Sequence, residues 1–251
     1  MFKYSLLVIL SASLLFHACK KSGQKEVPDG FASVPETKPQ YNNTSLGVYK
    51  GVIIGSVGTI VIKINNGDNL IKGYLAIDNV KDTLSTSQTV TAGQPIVNLN
   101  FTGTLSSMTL SANADGSDAQ ISNLSITGHP NAKALVIHEN STQLVMCYGG
   151  TFSGDLNGNI CFVKVGTAIR SEPVNFLAKV SIDTFFLKGN CVPETDTVRT
   201  NTHYMYDLGN PVRTFSGYPT FSNTAVTGPW VSFYPPTNST LRGTINCVRT
   251  Y

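Results

Sequence analysis

The stretch YKGVIIGSVGTIVIKI, Tyr49 to Ile64, decides the fold class. Ile60, Ile62 and Ile64 fall on every second position, the period of a strand with one face covered and the other open to polar surroundings. The same alternation recurs in Val97, Leu99 and Phe101, in Ile121, Leu124 and Ile126 with one break, and in Leu241, Ile245 and Cys247. Helical spacing is hard to find. Gly, Asn and Pro separate the runs at short intervals, so the expectation is an all-β chain of antiparallel hairpins and meanders.

The opening stretch has a counterpart. YGGTFSGDLNGNICFVKV begins at Tyr148, 99 residues later, and both segments open Tyr-x-Gly-x-[Ile or Phe]-x-Gly. A two-residue turn at Val57-Gly58 would set Gly55 against Ile60, Ile53 against Ile62 and Gly51 against Ile64. A turn at Asn157-Gly158 would likewise set Gly154 against Cys161, Phe152 against Val163 and Gly150 against Val165. In each hairpin the face carrying Tyr and the large apolar residue should be buried, with the glycines marking close approach or sheet bending. The offset suits a small β-sandwich or barrel. It therefore predicts two related units, 47–141 and 142–251, meeting near Asn140 to Gln143, with one fused sheet system as the alternative.

Lys3 precedes an apolar run from Tyr4 to Phe16, which is shorter than the roughly 20 residues of a spanning helix and suits a secretory signal peptide. Phe16-His17-Ala18-Cys19 resembles the lipobox of bacterial lipoproteins, although Leu is the usual first residue and His is unusual at the second. The resemblance implies cleavage after residue 18 and acylation of Cys19, which would anchor the chain in the membrane through its lipid. Lys20 follows the cysteine instead of the Asp that retains enteric lipoproteins at the inner membrane, and this implies the outer membrane. Residues 19–46, with Pro28, Pro35 and Pro39, read as a disordered tether. The leader ending CKKS, the Gly-punctuated hairpins and the closing GTINCVRTY are similar in texture to the β-rich envelope lipoproteins of Bacteroidetes-type bacteria.

Charge excludes one class of partner. Only 13% of residues are charged, and without the leader 17 Lys and Arg face 15 Asp and Glu. So small and scattered an excess makes no basic footprint for nucleic acid.

Four cysteines follow Cys19, and in an exported chain Cys147, Cys161, Cys191 and Cys247 are disulfide candidates. The expected register puts Cys147 outside and Cys161 inside, too far apart to bridge within the ~7 Å Cα limit. Pairing of Cys161 with Cys247 and Cys147 with Cys191 is favoured; the exchange of those partners stays open.

Local chemistry is sparse. Asn113, Asp115 and Asp118 surround Gly116 in NADGSD, but Asp-Gly between strand-like runs is also a common hairpin turn. Neither that stretch nor DLNGN at Asp155 is read as a metal site. The histidines lack ligand spacing, no Gly-x-Ser-x-Gly elbow occurs, and no cofactor motif is present. The C-terminal region is aromatic, and on PWVSFY the rings of Trp230 and Tyr234 share a strand side, making them the candidates for ligand contact, with core filling as the competing role. The expected function is a non-catalytic envelope lipoprotein that binds a glycan, a small ligand or a protein partner. The alternative is a glycan-acting envelope hydrolase whose acid and base carboxylates come from separate strands.

Overall fold

β-Branched and aromatic side chains pack well on a pleated surface, and alternation gives that surface one buried face. In the computed structural model, which describes residues 32–166, 174–180, 186–193, 203–207, 214–234 and 238–251, the chain is all-β and antiparallel. The first sheet comprises β1 (Gly47–Ile54), β2 (Val57–Ile64), β3 (Ile71–Ile77), β4 (Val80–Ser85), β5 (Ile96–Thr102), β6 (Ser106–Ala112), β7 (Gln120–Ile126) and β8 (Lys133–His138). The second begins with β9 (Val145–Gly154), β10 (Gly158–Val165), β11 (Val174–Val180), β12 (Phe186–Pro193) and β13 (His203–Asp207). It is completed by β14 (Thr214–Gly217), β15 (Thr220–Phe221), β16 (Ala225–Tyr234) and β17 (Ser239–Arg249).

In the first sheet each strand from β1 to β7 lies beside its successor, and β8 returns to the free side of β1. β7 and β8 then run close together without a shared ladder, so the sheet curls into a partly open barrel. In the second sheet β9 pairs with β17 and β14 with β16, which closes a ring of eight hydrogen-bonded strands with β15 added against β16. Each sheet wraps its own core. Tyr49, Ile53, Ile60, Ile62 and Ile64 belong to the first, and Tyr148, Phe152, Ile160, Phe162 and Trp230 to the second.

Register departs from expectation in both hairpins. The first turns at Gly55-Ser56, between the paired Ile54 and Val57, so Gly51 meets Ile60 and Ile53 meets Gly58. Gly55 takes a φ of 145°, where a side chain would strain the turn. The displacement is an even number of residues, and Ile60, Ile62 and Ile64 keep their inward face. The second hairpin is displaced by an odd number: Gly158 meets Phe152, and Cys161 meets Gly149. An odd slip turns every side chain over. Ile160 and Phe162 therefore point inward, while Cys161 and Val163 point out. The difference is tertiary: β9 leaves β10 at Phe152 but stays bonded to β17 for two residues more, with Gly154 opposite Gly243 and Asp155 N–H donating to the Arg242 carbonyl at 2.9 Å.

The glycines of the repeat have the expected role of close approach. A Cβ on Gly51 would strike the Leu135 carbonyl of β8, and one on Gly150 the Asn246 carbonyl of β17. Two other alternations meet bulges. The register shifts between Ile96 and Leu99, Asn98 has a φ of 53°, and Val97 is turned out to 70% exposure instead of joining Leu99 and Phe101. The break between Ile121 and Leu124 contains Asn123 at a φ of 50°.

The outer face of one barrel lies against that of the other. Val48, Val52, Ile54 and Val61 pack with Val145, Cys147, Cys161, Val163 and Leu177, with Tyr251 alongside, so β1 is buried on both faces. The segment expected as a tether through Leu46 is, from Ala32 onward, part of this body. It has no hydrophobic period because polar groups hold it. Glu36 N–H and Thr37 N–H donate to Glu139 Oε2 at 2.6 and 3.3 Å, Val48 N–H donates to Thr37 Oγ1 at 3.0 Å, and Ser45 Oγ donates to the Gln94 carbonyl at 2.7 Å.

Candidate functional site

Charged groups concentrate at the joint between the barrels. Lys50 and Glu139, both fully buried, pair at 2.7 Å, and Glu139 Oε1 also accepts Val145 N–H at 3.1 Å. Lys50 reaches Glu36 at 3.1 Å, Lys63 reaches Glu36 at 2.6 Å, and the Tyr251 hydroxyl donates to Glu36 Oε2 at 2.6 Å. Burial opposes ionisation of Glu36, but Lys63, Tyr251 and Lys50 outweigh it and hold the carboxyl down at about 2. These groups tie the N-terminal segment, β1, the connection into β9 and the C-terminal residue into one place.

A different chemistry covers the outer surface of β5, β6 and β7. From Thr83 to Gly128 the only charged residues are Asp115 and Asp118, both in the β6–β7 connection. Apart from the exposed Val97, the most exposed strand positions here are Ser, Thr, Asn and Gln. The Thr109 hydroxyl donates to Asn100 Oδ1 at 2.9 Å and accepts from Asn123 Nδ2 at 3.4 Å, a chain of neutral groups across three strands. Asn98 N–H donates to Ser111 Oγ at 3.1 Å beside it.

This face is bounded by an incomplete seam. β4 and β5 share one paired position, Ser85 opposite Thr102. Beyond it Asp82 substitutes for a ladder: its carboxylate accepts Thr104 N–H at 3.2 Å, Leu105 N–H at 2.8 Å and the Ser106 hydroxyl at 2.7 Å. Burial disfavours the charge, but those donors prevail and lower the Asp82 pKa. On the other side Asn100 N–H donates to Gln88 Oε1 at 2.6 Å. A cleft of about 490 Å³ lies between, lined by Ser85, Thr86, Ser87, Gln88, Asn100 and Thr102. Sequence reasoning passed over these residues. The signal was present as the absence of any charge from Thr83 to Ala114, in strands whose outward positions are ordinarily the charged ones.

The sequence candidates fall elsewhere. Trp230 is wholly buried in the second core, stacked on Phe215 at 5.4 Å and edge-on to Phe152 at 5.6 Å, with Nε1–H donating to the Ser153 carbonyl at 3.1 Å. Its surface role is thus corrected to core filling, because β16 turns that side into the ring. Tyr234 ends β16 opposite Ser239; its side chain lies outside the described residues, as do Cys19 and the whole leader.

Cys147, Cys161 and Cys247 carry free, buried thiols. Cys147 and Cys161 both face the joint, which corrects the expectation that they face opposite ways; Cys247 faces the second core, so Cys161 and Cys247 stand on opposite sides of the barrel wall and the favoured bridge between them is not made. Cys147 is likewise separated from Cys191 by β10 and β11; the Cys191 side chain lies outside the described residues. Burial pushes the Cys147 and Cys161 thiols up to about 12. In the NADGSD turn Asp115 Oδ1 accepts from Ser117 N–H at 2.9 Å and its hydroxyl at 2.6 Å. Among the described residues no three His, Cys, Asp or Glu side chains gather as metal ligands, and no helix is long and apolar enough to cross a membrane.

Compared with protein-family models, with curated proteins and with solved structures, the chain finds no match.

Proposed function

We propose that this chain is a lipid-anchored protein of the bacterial cell envelope, held at the outer membrane by an acylated Cys19, and that it works by binding a neutral ligand without chemical change. The observation that carries the binding half is the uncharged outer face of β5 to β7, where Asn100, Thr109 and Asn123 are linked by hydrogen bonds. Surfaces without a function to serve are ordinarily rich in Lys and Glu, which are hydrated cheaply. The carboxylates nearest to a concealed position support the same reading, since Glu36 and Glu139 are engaged by lysines and backbone amides and Asp82 by the seam. The anchoring half rests on the apolar run and Ala18-Cys19.

Cys19→Ser should release the protein from the membrane fraction, and its continued partitioning into detergent would refute lipid anchoring. Incubation of the mature protein with neutral oligosaccharides should leave their chain length unchanged. Release of reducing ends would refute the non-catalytic reading.

A further inference from the structure

The cleft at the seam of β4 and β5, about 490 Å³, is within the ~300–1,000 Å³ range of small-molecule sites. Two features make it more than a gap between strands. Asn100 is held by its Oδ1, which accepts from Thr109, and by its N–H, which donates to Gln88. Neither Asn100 Nδ2 nor Gln88 Nε2 has a hydrogen-bond partner among the described residues. The hydroxyls of Ser85, Ser87 and Thr102 are equally uncommitted among the described residues.

The lining selects by chemistry. No charged side chain lines the cleft, although Lys72 lies opposite Ser85 across the β3–β4 ladder, and every lining side chain is a hydroxyl or an amide. An added peptide strand would need the Asn100 N–H, which Gln88 Oε1 already occupies. A polyol fits, because each of its hydroxyls both donates and accepts and the wall presents amide donors beside hydroxyls that do either. We propose that this cleft is a neutral-carbohydrate subsite, in which Gln88 Nε2 and Asn100 Nδ2 donate to sugar oxygens while Ser85, Ser87 and Thr102 exchange hydrogen bonds with sugar hydroxyls. The inference rests on the binding reading of the preceding section. Pre-orientation of Asn100 by Thr109 lowers the entropy lost on binding.

The test uses the mature chain on an array of neutral and acidic oligosaccharides, followed by calorimetry on the hits. Binding to neutral sugars should survive about 1 M salt, where screening extends only ~3 Å. Gln88→Ala and Asn100→Ala should each weaken it about tenfold, the effect of roughly 1.4 kcal/mol. Ser87→Lys, at an exposed position where folding is undisturbed, should block the cleft and abolish binding. Neutral-sugar binding that is unchanged in Ser87→Lys and Gln88→Ala would overturn this site while leaving the binding reading intact. An array with no neutral hit would overturn both, and hits confined to acidic sugars and lost in salt, or binding of a peptide strand blocked by Ser87→Lys, would overturn the ligand class.

Discussion

The two barrels open on the same pattern, Tyr49 to Gly55 and Tyr148 to Gly154, and then fill themselves with different material. Ile53, Ile60, Ile62, Ile64, Leu75 and Ile77 dominate the first core, whereas Phe152, Phe162, Phe176, Phe215, Phe221 and Trp230 crowd the second. The second sheet closes on itself, and large rings meeting edge to face, such as Phe162 and Phe221 at 5.4 Å, occupy its interior. The first sheet keeps two incomplete seams, one between β7 and β8 and one between β4 and β5. Closure removes unpaired edges, and the cleft lined by Ser85, Gln88 and Asn100 lies at a seam of the barrel that does not close. Similar hairpins can therefore start a ring of strands that closes or one that stays partly open, depending on how the later strands pair.

Removing Trp230 is the strongest way to break the comparison. Trp230→Ala should destabilise the second barrel by about 3–5 kcal/mol through the cavity left among Phe152 and Phe215. Hydrogen exchange should show faster exchange in β9 to β17 before β1 to β8, and equal loss in both sheets would mean that the cores are not separately organised.

The joint should respond next. Glu36→Gln, which weakens charge-assisted bonds from Lys50, Lys63 and Tyr251, should cost about 1.5–3 kcal/mol. Its folded pKa lies at about 2, below the ordinary 4.5, so its contribution is whole above pH 4.5 and is lost as the pH falls towards 2. Urea unfolding at a series of pH values should show that limb in the wild type and a flatter one in Glu36→Gln. Parallel limbs in the two proteins would count against the ionic joint.

A single methyl tests the aliphatic barrel. Ile62→Val should cost about 0.5–1.5 kcal/mol, with its exchange signature confined to the first sheet. The smallest effect belongs to the cleft. Gln88→Ala, on an exposed side chain, should move stability by no more than about 0.5 kcal/mol, so a larger loss by thermal unfolding would make Gln88 a strut of the seam and not a free contact.

Alternation by itself determined that this chain forms antiparallel strands, and it determined the buried face wherever a slip was even, as at Ile60, Ile62 and Ile64. The repeated glycines were legible too, since the crowding at Gly51 and Gly150 follows from their place in the pattern. What the tertiary structure decided was register, and with it the cysteines: a turn signal at Asn157-Gly158 is worth less than the ladder that β9 makes with β17, and the odd displacement carried Cys161 into the joint. It decided Trp230 in the same way, because local spacing places Trp230 and Tyr234 on one side of a strand but only closure of β14 onto β16 makes that side an interior. The cleft was the least legible, for its walls are ordinary Ser, Thr, Asn and Gln whose meaning depends on a ladder that β4 and β5 fail to complete. Side-chain period is a local property of the chain, whereas which strands pair, and where pairing stops, is set by contacts between residues far apart in sequence.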